Sequence, residues 1–572
     1  MSADTQLKEA SNSATLDGGP VSTLETGRVS KAVNRSKMMN LILFIILLGS
    51  SLLYIAAIRP DRFGAYHDDG IYVTTAKALA TGEGYRIISL PYEPAQTKYP
   101  PFYAFLLSLI WRVYPHFPEN LTWMMMLSVA ATVGFLALTY RYLVKQGYAT
   151  GWQALIVVAM AAINWRTMIL ATGVQSEMVY AGLSVSVLYL AERYEKQRGG
   201  PIAGVLMGVM IGLAFLTRSS GLALLIAVGA YYVLRRQWQR AALVVGVGSL
   251  FVIAWLGWCY ANQTTAEGVN VAYYTSYWRD LVNAINDLQP QNNLSKLAVF
   301  LSIIGRNALM LTVFSPPVVC LGIDYGWIQY FGFAFLFIAA GFLRGVSKGW
   351  PLLHIYIVSY LVLHFFWLPY VSYDRFLIPL LPFLLLFLIT EAQRLISLLL
   401  KEIRSSRQII MKMSAAFICF ALLVAAGAII YNYSTGIYWQ LASAHLSKTP
   451  GPAPEDAKAI EWIKANTDVT DVLVCYRDPL YYLYTDRRAT RSFPMKAGPL
   501  WQRHQSLIYR IANENNARYL ILTASDFENE YQPDLQRGNF KMLIEQRPQM
   551  LVLVFESTDG SSKVYRIENN AG

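Results

Sequence analysis

Apolar stretches of membrane-spanning length recur along the 572-residue chain, and this feature constrains its fold more than any other. The first stretch, Met38 to Ile58, is long enough to cross a hydrocarbon layer of ~30 Å. Lys31, Arg35 and Lys37 precede it, and the positive-inside rule therefore predicts a cytoplasmic N-terminus. Further spans are predicted near residues 121–143, 152–172, 176–192, 201–217, 219–234, 241–261, 325–343, 350–369, 376–396 and 413–432. The sequence thus predicts a polytopic α-helical membrane protein with about 11 transmembrane helices.

Basic residues mark alternate connections between these spans, which sets the expected orientation. The inside connections hold Arg141 and Lys145; Arg193, Lys196 and Arg198; Arg235, Arg236 and Arg240; Arg344 and Lys348; and Lys401, Arg404, Arg407 and Lys412. Two apolar segments are left out of the count. Phe102 to Tyr114 is too short to span and counting it would invert every later loop, so an interfacial or re-entrant helix is predicted. The same is expected of Leu294 to Pro316, which Gly305-Arg306-Asn307 interrupts.

Composition excludes an ordinary soluble protein, because 55% of the residues are hydrophobic and only 15% are charged. The net charge of +12 belongs to residues 1–447, since the remainder carries 16 basic and 16 acidic residues. A basic membrane portion suits anionic lipid headgroups or an anionic substrate, whereas no basic, aromatic-interleaved surface points to nucleic acid. The four scattered cysteines predict neither a zinc site nor a disulfide framework.

Three regions follow from these patterns. Residues 1–37 are predicted to be a disordered cytoplasmic tail, and residues 38–440 a transmembrane domain whose first outside loop covers 59–120. Residues 447–572 are predicted to form a soluble extracytoplasmic α/β domain, with strands near 472–475, 519–523 and 550–555. This domain has no nucleotide-binding loop or catalytic motif, so a supporting or acceptor-guiding role is expected of it. The predicted location is the plasma (inner) membrane.

The first outside loop contains an adjacent pair of carboxylates, Asp68 and Asp69. Acids this close to the bilayer lose solvation, which raises their pKa and suits them to act as a general base. A structural role is the alternative, because Asp69 could cap a helix that begins at Gly70 or Ile71. The residues alone leave both open.

Three further candidates lie in other outside turns. Glu177 begins a span, where the helix dipole also favours an acid for purely structural reasons. Arg218 lies between two apolar segments of about 16 residues, roughly 25 Å each, so its turn should lie below the outer surface and its guanidinium should meet an anion there. Arg375 follows Asp374 in a short loop, and the two could simply pair with each other.

Two other sequence patterns, the spacing of three glycines and that of the histidines, do not indicate a catalytic role. Gly204, Gly208 and Gly212 form a ridge of small residues that predicts close helix packing. The six histidines show no metal-ligand spacing, so no cofactor is predicted and a metal-independent reaction is favoured. A divalent metal ion shared by Asp68 and Glu177 remains an alternative.

From about Tyr66 to Leu388 the sequence resembles the polytopic GT-C glycosyltransferases, especially bacterial relatives of dolichyl-phosphate-mannose–protein mannosyltransferases and of the aminoarabinose transferase acting on lipid A. The motifs that carry the resemblance are Asp68-Asp69-x-x-Tyr72, Gly82-x-Gly84-Tyr85, Lys98-Tyr99-Pro100-Pro101, Ser176-Glu177, Leu216-Thr217-Arg218 and Arg375-Phe376-x-x-Pro379-x-x-Pro382. Two departures occur: the second acid is often Glu in the family, and Tyr99 separates the lysine from the prolines.

The resemblance implies a membrane glycosyltransferase that moves a sugar from a polyprenyl-phosphate donor to a lipid, glycan or protein hydroxyl at the outer face, with inversion. It implies Asp68 as the catalytic base, beside Asp69. Arg218, Arg375 and Lys98 are expected to bind the donor phosphate, with Tyr99 and Glu177 as further substrate-binding residues. The alternatives are a lipid-linked-sugar or solute transporter or flippase, and a non-catalytic assembly or sensor protein. Transporters place ionisable groups near the midplane and contain internal repeats, whereas these charges lie in outside turns.

Overall fold

A computed structural model of the chain describes residues 22–197, 200–264, 271–292, 295–347, 349–368, 373–405, 408–446, 451–492, 509–523 and 549–568. These residues are predominantly helical. The helices of the first half are Ser22–Ala56, Asp68–Thr81, Phe102–Val113, Asn120–Lys145, Gly151–Ile163, Trp165–Ala171, Glu177–Gln197, Pro201–Thr217, Leu222–Leu234, Trp238–Ala261, Val271–Thr275 and Tyr277–Asn292.

The second half contains further helices and the strands. The helices are Lys296–Leu309, Ser315–Leu321, Ile328–Phe331, Ala334–Val346, Leu352–Phe365, Tyr373–Leu377, Leu381–Ser405, Ile409–Leu446, Pro454–Asn466 and Asp478–Thr485. Single turns of 3₁₀ or π helix cover Pro60–Arg62, Ser219–Gly221, Met310–Phe314, Tyr325–Trp327 and Ile378–Leu380. The strands are β1 (Val472–Cys475), β2 (Ala489–Arg491), β3 (Ala517–Thr523), β4 (Leu551–Glu556) and β5 (Ser562–Ile567).

The described part of the chain has the character of a multi-pass membrane protein. Six helical runs are long and apolar enough to cross a bilayer, or up to eight when each of two bent helix pairs counts as one span. Four shorter apolar helices accompany them. Large apolar side chains such as Phe44, Leu250 and Phe417 face outwards from these helices, as expected of lipid-facing surfaces. The predicted helical membrane fold is therefore confirmed, although the count of 11 spans is not.

Two segments differ from expectation. Residues 22–37 belong to a helix continuous with the first span, Ser22–Ala56, whereas a disordered tail is predicted there; residues 1–21 lie outside the described part. Lys296–Leu321, expected to be interfacial or re-entrant, forms a helical run of 26 residues that is long enough to span. Ser295 caps its first turn by accepting a hydrogen bond from the Ala298 N–H.

Contacts between distant segments restrict how often the chain crosses the membrane. Arg375 contacts Asp68, and Asp478 contacts His67. The segments that contain Arg375 and Asp478 therefore lie at the same end of the helical region as the first loop. An even number of crossings must therefore separate them from that loop. The predicted spans between residues 121 and 432 satisfy this rule. Adding Lys296–Leu321 to these spans makes the number odd, unless another segment, such as the bent pair Tyr325–Phe331 and Ala334–Val346, does not cross.

The glycine ridge packs as predicted. Gly204, Gly208 and Gly212 face Leu243, Val247 and Phe251 on the neighbouring helix, and an added Cβ would lie only 2.3–2.6 Å from those side chains. The helix that ends at Thr217 then reverses within a 3₁₀ turn, where Gly221 lies against the backbone of Phe215. This tight reversal leaves Arg218 at the tip of a short hairpin.

The C-terminal strands form one mixed sheet in the order β2-β1-β3-β5-β4, with β1 parallel to both its neighbours and β5 antiparallel to both of its own. The predicted strands near 472–475, 519–523 and 550–555 correspond to β1, β3 and β4. The helix Asp478–Thr485 leaves the end of β1 and packs against the helix that begins at Asp68. The sheet region is thereby joined to the first loop.

Candidate active site

A cavity of about 410 Å³ lies where the first loop, the ends of several helices on the same side and the sheet region meet. Six sequence-predicted residues line it: Asp68, Asp69, Lys98, Tyr99, Arg218 and Arg375. Glu177 is buried behind the two arginines, with a side chain that is 1% exposed. The structure thus brings together residues that are more than 300 positions apart in the sequence.

The loop turns sharply before Asp68. His67 has a φ of +61°, in the left-handed region that a residue with a Cβ seldom adopts, and the helix begins at the next residue. Asp68 and Asp69 therefore both lie in the first helical turn. This corrects the alternative in which Asp69 caps a helix that begins at Gly70 or Ile71.

Asp68 faces the cavity and remains 25% exposed. The Tyr99 hydroxyl donates a hydrogen bond to its Oδ1 at 2.6 Å, and Arg375 Nη1 lies 3.1 Å from Oδ2. Burial alone would raise the pKa of Asp68, but Arg375 and the Tyr99 hydrogen bond outweigh it and hold this pKa below its usual value. The expected rise in pKa is therefore wrong for Asp68, which is ionised at neutral pH.

Asp69 is the acid whose pKa does rise. Its carboxylate is 3% exposed and accepts hydrogen bonds from the backbone N–H groups of Gly64, at 2.9 Å, and Gly70, at 2.8 Å. Burial raises its pKa to about 6, although the two backbone donors act in the opposite direction. Both oxygens of Asp69 are thus used to hold the loop, whereas the carboxylate of Asp68 is directed at the cavity.

Glu177 holds the two arginines together. Its Oε1 lies 2.9 Å from Arg218 Nη1 and also accepts a hydrogen bond from Arg375 Nε. Arg218 Nη1 donates a second hydrogen bond to the Ser176 hydroxyl at 3.0 Å, and Arg375 donates one to Gln175 Oε1. Two guanidinium groups are therefore fixed side by side at the cavity wall, with two carboxylates, Asp68 and Glu177, in contact with them.

The structural alternative for Arg375 is wrong. Its side chain contacts Asp68 and Glu177, while Asp374 Oδ2 accepts a hydrogen bond from Arg166 Nε at 2.8 Å. Asp374 joins Arg375 only by accepting a hydrogen bond from its backbone N–H. The adjacent acid and base thus take separate partners.

Lys98 lies in the cavity wall but is engaged by other groups. Its side chain is 4% exposed, and its ammonium donates to the Tyr273 carbonyl at 2.5 Å and lies 3.2 Å from Asp280. It also lies over the rings of Tyr273 and Tyr277. Tyr99, from the same motif, is the residue that contacts the catalytic candidate Asp68 directly.

Sequence reasoning missed several residues of this site. Gln175 precedes the predicted Ser176-Glu177 pair by one position and contacts Arg375. His67 precedes Asp68 and contacts Asp478 from the C-terminal region at 2.7 Å. No sequence signal links these distant segments, because isolated histidines and tyrosines carry no spacing pattern. The walls of the cavity also include Tyr273 and Arg491.

The described residues do not fit a metal ion in this arrangement. Within that part of the chain, no three His, Cys, Asp or Glu side chains form a group that could hold a metal. The alternative of an ion shared by Asp68 and Glu177 is opposed by the Arg375 guanidinium, which contacts both carboxylates.

Comparison with known proteins gives one family match and several matches in fold. Residues 97–369 match the sequence model of glycosyltransferase family 87. No functionally curated protein matches the sequence. The archaeal oligosaccharyltransferase AglB from Archaeoglobus fulgidus, in complex with an inhibitory peptide and a dolichol-phosphate, is 15% identical and aligns over 93% of this chain and 74% of its own, with a TM-score of 0.51.

A second structure of that oligosaccharyltransferase, in complex with Zn and sulfate, is 14% identical and aligns over 91% of this chain and 72% of its own, with a TM-score of 0.52. ArnT from Cupriavidus metallidurans, bound to undecaprenyl phosphate, is 12% identical and aligns over 94% of this chain and 99% of its own, with a TM-score of 0.49. At these identities the AglB structures show a shared fold. The family match over residues 97–369, just under half of the chain, and the fold shared with AglB both support the predicted resemblance to membrane glycosyltransferases of the GT-C superfamily.

Proposed function

We propose that this protein transfers a sugar from a polyprenyl-phosphate donor to an acceptor hydroxyl at the outer face of the plasma membrane. The observation that carries the proposal is the cavity itself, which joins an ionised, accessible carboxylate to two fixed guanidinium groups. Glycosyl transfer needs both: a group that accepts the acceptor's proton, and positive charge for the phosphate that leaves.

The phosphate of the donor would be bound by Arg218 and Arg375. A guanidinium presents paired N–H donors that suit phosphate oxygens, and both side chains line the cavity while they remain largely buried. The isoprenoid tail would extend into the bilayer along the apolar helices. AglB, which shares the fold, is a precedent for a polyprenyl-phosphate ligand, since its structure contains a dolichol-phosphate.

Asp68 is the proposed general base. The acceptor oxygen attacks the anomeric carbon while its proton passes to the Asp68 carboxylate, and the bond between the anomeric carbon and the phosphate oxygen breaks with its electron pair going to the phosphate. A single displacement of this kind inverts the anomeric configuration. Asp68 is preferred to Asp69 because geometry takes precedence over pKa: Asp69 uses both oxygens to hold the backbone.

Binding of the donor phosphate to Arg375 would also change the basicity of Asp68. The Arg375 guanidinium contacts Asp68 and Glu177 together, which keeps Asp68 weakly basic. A bound phosphate would compete for the same N–H donors and weaken the pairing with Asp68. Asp68 would then become more basic only when the donor is present. Glu177, the buried partner of both arginines, would keep them in place during this exchange.

The experiment is an assay of the purified full-length chain in lipid nanodiscs with a panel of radiolabelled polyprenyl-phosphate sugars. Membrane glycans, lipids and peptides serve as acceptors. We expect transfer of label to an acceptor and release of the polyprenyl phosphate. A transporter or flippase would instead move the labelled lipid between leaflets of sealed vesicles without cleaving it. Movement without cleavage across the whole panel would overturn the proposal.

A further inference from the structure

The C-terminal region touches the loop that carries Asp68. Pro479 packs against Gly70 and Leu480 against Gly64, so closely that an added Cβ would lie 2.7 Å and 2.8 Å from them. Gly64 has a φ of +87°, which only glycine adopts without strain. The two glycines on either side of Asp68 thus allow the helix that begins at Asp478 to lie directly on the loop.

Beside this contact, five residues form a closed ring of hydrogen bonds. His67 Nε2 lies 2.7 Å from Asp478 Oδ1, and His67 Nδ1 lies 2.9 Å from the Tyr273 hydroxyl. The Tyr274 hydroxyl donates to Asp478 Oδ2 at 2.8 Å. Arg491 closes the ring, because its backbone N–H donates to the Tyr274 oxygen and its Nη1 to the Tyr273 oxygen, each at 3.1 Å.

The ring has one consistent set of donors. The Asp478 carboxylate can only accept, so His67 carries its proton on Nε2 and donates it to Asp478 Oδ1. His67 Nδ1 then accepts from the Tyr273 O–H, whose oxygen accepts from Arg491 Nη1. Burial lowers the pKa of His67, with Arg491 acting in the same direction against the opposing effect of Asp478, so the imidazole is neutral at physiological pH. The ring therefore fixes both the tautomer and the ring plane of His67.

His67 is also the residue with the left-handed backbone immediately before Asp68. A non-glycine residue stays in that conformation only where its surroundings hold it. Asp478, which is fully buried, provides the carboxylate that holds the imidazole. We propose that Asp478 is a positioning residue for glycosyl transfer, which acts through His67 to direct the Asp68 carboxylate into the cavity. This inference rests on the proposed function of Asp68.

Simple docking of the C-terminal region does not require Asp478. Other contacts join the same surfaces: Lys77 lies 3.1 Å from Asp486, the Ala489 N–H donates to the Ser89 carbonyl at 2.8 Å, and Arg488 pairs with Glu93. Loss of the Asp478 carboxylate should therefore release His67 while the C-terminal region stays docked.

The test compares Asp478→Ala and Asp478→Asn with two controls in the full-length protein. Asp471→Asn alters a buried acid of the same region that pairs with Arg518, and Asp486→Asn alters a docking contact outside the ring. In Asp478→Ala, we expect faster hydrogen exchange in the peptide that covers residues 64–70 and a fall in kcat of about 10- to 100-fold with little change in donor KM. Asp478→Asn, which keeps the oxygen that His67 needs, should lose less. Neither control should show these effects.

A double-mutant cycle separates positioning from stability. If Asp478 acts through Asp68, adding Asp478→Ala to Asp68→Asn should lower the remaining activity no further. Unchanged exchange and unchanged kcat in Asp478→Ala would overturn the inference while leaving the proposed function intact. Full activity of Asp68→Asn would instead remove the proposed role of Asp68, whatever Asp478 does. Equal loss in Asp478→Ala and both controls would show only a structural role.

Discussion

The cavity has two walls of opposite character. The helix-end wall consists of the charged side chains of Arg218 and Arg375, which pair with the Glu177 carboxylate buried behind them. The loop wall, made of His67, Asp68, Tyr273 and Arg491, places one accessible carboxylate next to a ring of directional hydrogen bonds that Asp478 and Tyr274 complete. The first wall comes entirely from the helical region, whereas the second also draws on the C-terminal sheet region.

This difference corresponds to two needs of the proposed glycosyl transfer. A leaving phosphate is stabilised by charge, which tolerates small displacements because Coulomb energy changes slowly with distance. A proton transfer depends on hydrogen-bond distance and angle, so its acceptor must be fixed. A charged wall for the donor and a hydrogen-bonded wall for the base would divide the two tasks.

The largest effect is expected at the loop wall. Asp68→Asn keeps the shape of the side chain but cannot accept the acceptor's proton, so transfer should fall by about 10²–10⁴-fold. Donor binding should not weaken, because Arg218 and Arg375 are retained and Arg375 loses the Asp68 charge that competes with phosphate for its N–H donors. Steady-state transfer and titration with undecaprenyl phosphate measure the two quantities separately.

Asp69→Asn is the matched control for that experiment, because it makes the same replacement of a carboxylate oxygen by an amide nitrogen in the neighbouring acid. It should cost less, because Asp69 holds the backbone of Gly64 and Gly70 and does not face the acceptor. An inactive Asp69→Asn beside an active Asp68→Asn would reverse the assignment of the base. Full activity in both variants would remove the carboxylate pair from the reaction.

Much of the helical region could be predicted from sequence because lipid imposes a simple rule. Each span needs a run of apolar residues, and basic connectors fix its direction. The Gly204, Gly208 and Gly212 ridge was equally predictable, since small residues at helical spacing have one common use. The number of spans was not predictable, because helix length alone does not decide which helices cross. Leu352–Phe365 is shorter than a usual span, whereas Lys296–Leu321, which was left out of the predicted spans, is long enough to cross.

The two walls also differ in how far the sequence predicts them. Glu177, Arg218 and Arg375 were candidates from sequence, because a charge at the end of an apolar span has few explanations. The loop wall was predictable only at Asp68. His67 and Asp478 are 411 positions apart, and neither residue type is unusual in a loop or at the start of a helix. Their pairing depends on tertiary packing, which leaves no local pattern in the chain.

A smaller effect is expected at the helix-end wall. Arg218→Ala should weaken binding of undecaprenyl phosphate and slow transfer by about 1.5–3 kcal/mol in total, the usual range for a hydrogen bond to a charged group. Arg218→Lys keeps the positive charge but loses the paired N–H donors, so it should retain part of the affinity. Isothermal titration of the folded variants with undecaprenyl phosphate measures the loss.

Glu177→Gln sharpens the same comparison. The amide keeps an oxygen for Arg218 and Arg375 but removes the negative charge, so both guanidinium groups become freer to bind phosphate. We therefore expect donor affinity to be maintained or to rise, in contrast to Arg218→Ala. Unchanged donor affinity in Arg218→Ala would show that Arg218 only pairs with Glu177 and supports the fold.

The smallest effect concerns pH and the Asp69 carboxylate. Its pKa of about 6 means that it gains a proton as the pH falls from 7 to 5, while Asp68 stays ionised because its pKa lies below the usual value. Protonation takes one oxygen from a backbone N–H of the loop, and the loss of one hydrogen bond costs about 0.5–1.5 kcal/mol. The kcat of the wild type should therefore fall by about 2- to 10-fold on the acid side, with a midpoint near pH 6.

Stability distinguishes this effect from acid unfolding. The pKa of Asp69 is higher in the folded chain than in the unfolded one, so the folded state binds the proton more tightly and the contribution of Asp69 to stability rises as the pH falls through 6. Between pH 7 and 5, activity and this contribution to stability should move in opposite directions. In Asp69→Asn both changes should vanish, leaving a reduced rate that no longer depends on pH near 6. If the rate of Asp69→Asn still changes near pH 6, another group causes the pH dependence, and protonation of Asp69 does not control the loop wall.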